Sequence, residues 1–265
     1  MLPIYKALEV KQVISANSGH TQPWVVLAST PDGVKPFVVK LYTTSQVDQS
    51  HCVTKEVICN LLAGEFELNV PKCVLIDIPD DLVSRLSFDN QQQYSHADYR
   101  LKFATHYLDS VNSAMKGFES KFYKERISMD TLFAFDNLIR NGDRGQNKTN
   151  LLFRNKEAFL IDHEMTLNQR DIVNINLNTH QLEDVFTKYH LFFQNLKNAK
   201  DKSKVKFFKD FSDNLTFLSV NKFTPYHKQL IDLGFTDYSQ PINSWLNNVI
   251  QNSTIFVNKL KGVIQ

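Results

Sequence analysis

Apolar positions along the chain change their spacing near residue 110, from short strand-length runs to helical repeats. In the first part Val10–Ser15 predicts a strand, Ser15–Pro23 a loop of small and polar residues, and Trp24–Ala28 a second strand. Pro31-Asp32-Gly33 reads as a turn and Phe37–Tyr42 as a third strand. Thr54–Leu68 follows as a helix, with Val57, Leu61 and Gly64 on one stripe and Ile58, Leu62 and Glu65 beside it. Asn69-Val70-Pro71 ends it, Lys72–Ile78 predicts a strand, and Pro79-Asp80-Asp81 opens a short helix through Leu86. Ser87–Tyr99, polar and rich in Gln, has no period and reads as an exposed excursion before an extended Phe103–Leu108.

From Ser110 the pattern turns helical. Ile127–Arg140 carries Leu132, Phe135, Leu138 and Ile139 at helical spacing and runs into Asn141-Gly142, a helix stop. Leu151–Phe153 and Ala158–Ile161 are strand-length segments joined by Asn155-Lys156, a tight hairpin. Met165–Thr179 is polar and irregular. Leu182–Leu196, Val205–Leu218, Pro225–Leu233 and Pro241–Leu260 then read as four Phe-rich amphipathic helices. In the last, Trp245, Val249, Phe256 and Leu260 share one face, a spacing that belongs to core packing. The pattern predicts an α+β chain, with a β-rich part and one helix over residues 1–108 and a mainly helical part over 109–265.

At 265 residues the chain is long enough to bury a sizeable core in one large domain or in two lobes. Apolar residues make up 42% and charged ones 22%, a globular composition. No apolar run approaches the roughly 20 residues of a membrane span, and the opening MLPIYKALEV lacks the basic start and apolar length of a signal peptide. Cys52, Cys59 and Cys73 cannot all pair and show no zinc spacing, so a reducing cytoplasm is the simplest home. A net charge of +2 argues against direct DNA binding. The local cluster Lys197, Lys200, Lys202, Lys204, Lys206 and Lys209 reads as a solvated face, or as a docking surface for an acidic protein or RNA.

The chemistry concentrates in Asn141–Glu164, NGDRGQNKTNLLFRNKEAFLIDHE. The loop before the predicted hairpin and the residue after it belong at the same end of the ribbon. One acid, Asp143, one amide and a second acid, Asp162, then converge. Such a set suits phosphoryl transfer: magnesium takes oxygen ligands from a carboxylate and an amide, and an incoming hydroxyl needs an anionic acceptor nearby. Asp143 is assigned as the base and Asp162 as the main metal ligand. Asn150, directly before the strand, is the second ligand, with Asn147 as the alternative. Taken singly, each of these residues fits a polar turn better than a site. Arg144 reads as a structural anchor ahead of a contact for substrate phosphate, Asp136 as a brace for the loop or a surface residue, and His163 as a packing or hydrogen-bonding residue, since magnesium prefers oxygen.

FDNLIRNGDRGQNKTNLL followed by FLIDHE resembles the catalytic core of the HipA-like kinases, and more distantly the loop of type II phosphatidylinositol 4-kinases. Asp162-His163-Glu164 stands where typical kinases have Asp-Phe-Gly. The resemblance implies a two-lobed protein-kinase-like fold that transfers the γ-phosphoryl group of ATP, with Mg2+, to a Ser or Thr hydroxyl of a protein. It implies that Lys40, a lysine inside the apolar run FVVKLY, anchors the nucleotide phosphates with Glu56 orienting it. It makes Ser15–Thr21 a phosphate-covering loop, with Ser18, Gly19 and His20 at the nucleotide and Ser15, Ser18 and Thr21 as autophosphorylation candidates. Phe103–Leu108 becomes the adenine hinge, Tyr107 included, and Met165–Thr179 the activation segment and substrate platform. Some relatives phosphorylate an aminoacyl-tRNA synthetase, so a translation component is one implied partner. The alternatives are a pseudokinase that binds nucleotide or protein, favoured by the long Asp143–Asn150 loop and the absent glycine after Asp162, and a small-molecule or lipid kinase.

Overall fold

The computed structural model describes residues 1–14, 22–113 and 120–265. Its N-terminal region is β-rich and holds β1 (Ile4–Val13), β2 (Trp24–Thr30), β3 (Gly33–Val39), α1 (Thr44–Asp48), α2 (Cys52–Glu65), β4 (Cys73–Asp77), α3 (Asp80–Val83), α4 (Phe88–Ser95) and β5 (Lys102–His106). The rest is mainly helical: β6 (Asn112–Ser113), α5 (Ser120–Lys124), α6 (Met129–Leu138), β7 (Leu151–Arg154), β8 (Glu157–Leu160), α7 (Gln169–Ile172), α8 (Phe193–Lys197), α9 (Asp201–Lys204) and α10 (Lys209–Phe217). A 3-10 turn (Val220–Phe223), α11 (Thr224–Asp232), α12 (Ser239–Gln251) and α13 (Ser253–Val263) complete it. Among the described residues no helix is long and apolar enough to cross a membrane.

Packing divides the chain into two units. One comprises Met1–Asn60, Pro71–Asp109 and Thr224–Tyr238; the other comprises Leu61–Val70, Ser110–Phe223 and Ser239–Gln265. Sequence patterning suggests one boundary after residue 108, whereas packing assigns the end of α2 to the second unit and the α11 segment to the first.

In the first unit the strands close a barrel in the order β1-β2-β3-β5-β4, antiparallel throughout except where β1 meets β4. Alternate residues point inward, as strand periodicity requires. Trp24, Val26 and Ala28, then Phe37, Val39 and Leu41, then Val74, Ile76 and Ile78 meet in one buried cluster. β1 begins six residues before the predicted Val10. Its register shifts at Ala7/Glu9 and Val10/Gln12 break the alternation that would have revealed it.

The expected excursion over Ser87–Tyr99 instead contains α4. Apart from Tyr94, which stacks on Trp24, it is fastened by hydrogen bonds, which is why no apolar period marks it: the Ser87 hydroxyl caps the Asn90 N–H at 3.4 Å, and the Gln93 amide accepts from Trp24 Nε1 at 2.8 Å and donates to the Gln22 carbonyl at 2.9 Å. Arg100 joins Asp98, Asp48 and the Gly234 carbonyl, and the Gln229 side chain pairs with both backbone groups of Leu2, so the α11 segment is clamped to the barrel. Lys102, buried in β5, donates to the carbonyls of Asp98 and Arg100 at 2.5 Å each, and burial pulls its pKa down to about 8.

In the second unit α6 is buried along nearly its whole length. The Phe66 ring stacks on Phe211 at 4.7 Å, and Trp245 Nε1 donates to the Leu138 carbonyl at 2.7 Å. Three helix expectations need correction. Leu182–Leu196 is mostly turns, with only α8 helical at its end, because the backbone there bonds to another loop: the Leu191 N–H donates to the Arg144 carbonyl at 3.0 Å and His190 bridges Gly145. The Val205–Leu218 helix starts only at Lys209, after Phe208 turns into the left-handed region (φ 65°) and gives its N–H to the Asp130 carboxylate at 2.7 Å. The long terminal helix is two, α12 and α13, broken at Asn252. α7 also lies within the expected irregular stretch Met165–Thr179.

Candidate active site

α6 delivers the chain to the Asp143 loop and also holds the loop in place. Asp136, fully buried, accepts from Asn141 Nδ2 at 2.9 Å and Arg144 Nε at 2.7 Å and bonds His190 Nε2 at 2.8 Å. Burial alone would raise its pKa, but the Arg144 charge, then the His190 and Asn141 bonds, hold the carboxyl below its ordinary value. Arg144 reaches onward with Nη1 to the carbonyls of Asn150, at 2.5 Å, and Thr149, at 3.3 Å. A single buried ion pair therefore ties the start of the loop to its end. The Asp143 N–H donates to Asn141 Oδ1 at 3.0 Å, and the Gly145 N–H donates to the Lys148 carbonyl at 3.0 Å.

The β7–β8 ribbon brings in the rest. Leu151 pairs with Leu160, and one step on the Ile161 N–H donates to the Asn150 carbonyl at 3.1 Å, so Asn150 and Asp162 leave the same end of the hairpin. Both adopt left-handed backbone, φ 48° and 65°, a conformation Asn and Asp enter at lower cost than most side chains. Asn150 Nδ2 lies 3.2 Å from Asp143 Oδ2. Lys148 Nζ stands between the two acids, 2.5 Å from Asp143 Oδ2 and 3.2 Å from Asp162 Oδ2. Burial disfavours this ammonium, yet the bond to Asp143 and the charges of both acids raise its pKa. Asp143, Asn150 and Asp162 are thus brought together, whereas Asn147 is exposed and bonds neither acid among the described residues. Beyond Asp162 the His163 carbonyl accepts from both the N–H and the hydroxyl of Thr166, and the Leu167 N–H donates to the Ile139 carbonyl at 2.8 Å. His163 itself is buried, edge-on to Phe135.

In the barrel unit, Lys40 follows β3 and its N–H extends the ladder to the Phe103 carbonyl. Its ammonium ion-pairs with Glu56, which is buried and also accepts from the Tyr42 hydroxyl at 3.1 Å. Tyr107 spends its backbone N–H on the Pro36 carbonyl at 3.1 Å. Ser18, Gly19 and His20, with Ser15 and Thr21, lie outside the described residues.

A lysine–glutamate pair in one unit and, within the other, two acids converging at the end of a hairpin are residue types that phosphoryl transfer employs. A family model described as HipA-like kinase matches residues 9–215. The chain belongs to the HipA-like kinase family. No curated protein matches this HipA-like kinase. Among solved structures, the crystal structure of a Helicobacter pylori proinflammatory kinase, CtkA, aligns over 100% of this chain and 99% of that one, with a TM-score of 0.52 and 12% identity. At that identity the likeness is one of fold.

A carboxylate and a side-chain amide, as in Asp162 and Asn150, offer the hard oxygen donors that a divalent ion such as magnesium prefers, and the ammonium seated between Asp143 and Asp162 marks the spot as one where positive charge is stabilised. Beside Asp143 opens a groove of about 640 Å³ lined by Gly142, Asn168, Asp171, Glu183 and Phe186 among others. Gly142 lies against its wall: a Cβ there would come within 2.9 Å of Val185 Cγ2. Lys148 is the residue that sequence reasoning missed. The available signal was a lysine five residues after the proposed base inside a loop otherwise of small and polar residues.

Proposed function

We propose that this HipA-like kinase transfers the γ-phosphoryl group of ATP to a Ser or Thr hydroxyl of a protein. In this reading its two units are the lobes of a protein-kinase-like fold. Lys40, oriented by Glu56, neutralises charge on the nucleotide phosphates. Asp162 and Asn150 are the residues that would hold magnesium, which would supply positive charge to offset that of the phosphates. Asp143 accepts the proton of the incoming hydroxyl as its oxygen bonds the γ-phosphorus and the bond to the β,γ-bridging oxygen breaks, leaving ADP. The acceptor rests in the groove beside Asp143. Asp136 and Arg144 take no part in bond making; they keep the loop in register.

The observation that carries this reading is the convergence of Asp143, Asn150 and Asp162 around one cationic position in a chain of a kinase family. Incubation with γ-labelled ATP and Mg2+, alone and with a lysate, tests it. Label should appear on protein and fall about 100-fold or more in Asp143→Ala and in Asp162→Ala. Equal labelling by wild type and both variants, or none by wild type despite nucleotide binding, refutes it, the second outcome leaving a binding module.

A further inference from the structure

We propose that Lys148 is an internal counter-ion of the acid pair, one that a divalent ion must displace in order to bind Asp162. The inference rests on the metal assignment above and concerns this chain's own lysine. Two observations carry it. The Lys148 ammonium lies within ion-pair distance of both acids at once, on the same oxygen of Asp143 that receives the Asn150 amide. The ammonium is also tethered to a loop whose backbone is closed at the Gly145 N–H to Lys148 carbonyl bond and pinned by Arg144, so its reach to the acids is built into the loop.

Like charges a few ångströms apart repel unless a cation lies between them. Lys148 supplies that cation from within the chain and keeps Asp143 and Asp162 converged. A divalent ion offers more charge but has to compete with an ammonium that is covalently attached and always at hand. The protein therefore binds metal by itself weakly. Nucleotide phosphates shift the balance, because they bring ligands to the metal and a new anion for the released lysine. Lys148 thus acts as a positioning residue that couples metal loading to nucleotide arrival.

Binding of Mn2+ alone to the full chain, read from the electron paramagnetic resonance signal of free Mn2+, tests this without any turnover. Lys148→Met should bind Mn2+ about tenfold more tightly than wild type, the scale of losing one competing, partly exposed ion pair. Lys148→Arg, which keeps the charge, should return to wild-type affinity. Equal or weaker binding by Lys148→Met, or tight binding by Lys148→Arg, overturns the inference. Adding Asp162→Ala to each background separates the two readings: if that change abolishes Mn2+ binding while Lys148→Met fails to tighten it, the metal assignment stands and the counter-ion falls. If Asp162→Ala changes nothing, both fall.

Discussion

Replacing Asp136 with alanine asks whether the loop is held by the pair beneath it. The side chains of Asp136 and Arg144 are both fully buried, and Asp136 also takes hydrogen bonds from Asn141 and bonds His190. Deleting the carboxylate strands the Arg144 charge, and breaking a buried pair in this way costs about 3–5 kcal/mol. For a protein of this size each kcal/mol moves Tm by roughly 2–4 °C, so a fall of about 10 °C is expected. Thermal and urea unfolding followed by circular dichroism measure it. Asp136→Ala with Arg144→Met should recover much of the loss, because removing both charges leaves none uncompensated. Acid dependence adds a second signature. The folded carboxyl titrates below its ordinary 3.8, so its stabilisation is complete above that value and disappears as pH falls through the lower folded one. Between those values wild type should lose stability with falling pH more steeply than Asp136→Ala. A loss under about 1 kcal/mol for the single variant, or a double variant no more stable than the single, refutes the reasoning.

Glu56→Gln leaves Lys40 with a neutral partner and should raise the KM for ATP about tenfold while the melting curve shows a folded protein; an unchanged KM removes Lys40 from the nucleotide. Asn150→Ala should lower phosphoryl transfer about 10- to 100-fold and Asn147→Ala far less, since the Asn150 side chain reaches the Asp143 carboxylate and the exposed Asn147 does not; the reverse ranking restores Asn147 as the ligand. Lys102 has a folded pKa of about 8 against an ordinary 10.5, so the unfolded chain binds the extra proton between those values and this group's contribution to stability rises with pH across them. Melting temperatures compared from pH 8 to 10 should show that rise relative to Lys102→Met, and parallel profiles would sink it.

The β-rich to helical change near residue 110 is visible in the apolar spacing, and so is the β7–β8 hairpin, whose Asn155-Lys156 turn follows from turn chemistry. What escaped the pattern did so for local reasons. β1 is bulged and faces solvent over most of its length, so it lacks alternation. α4 is fastened by Gln93 and Tyr94 to Trp24, and such contacts leave no apolar stripe. The Leu182–Leu196 stretch has helical spacing but gives backbone bonds to Arg144 and Gly145, a long-range preference no window of neighbours encodes. At the site, the order of Asp143, Asn150 and Asp162 was legible, while the choice between Asn147 and Asn150 and the place of Lys148 depend on how the loop closes.

The Thr224–Tyr238 segment, fastened to Leu2, Asp48 and Arg100, has a consequence for how the protein is made. A ribosome releases the barrel strands first, yet the piece that finishes their unit emerges more than a hundred residues later, after most of the second unit. The N-terminal half must wait in an incomplete state throughout that interval. A fragment cut after Asp109 lacks that clamp and should be markedly more protease-sensitive than the intact chain.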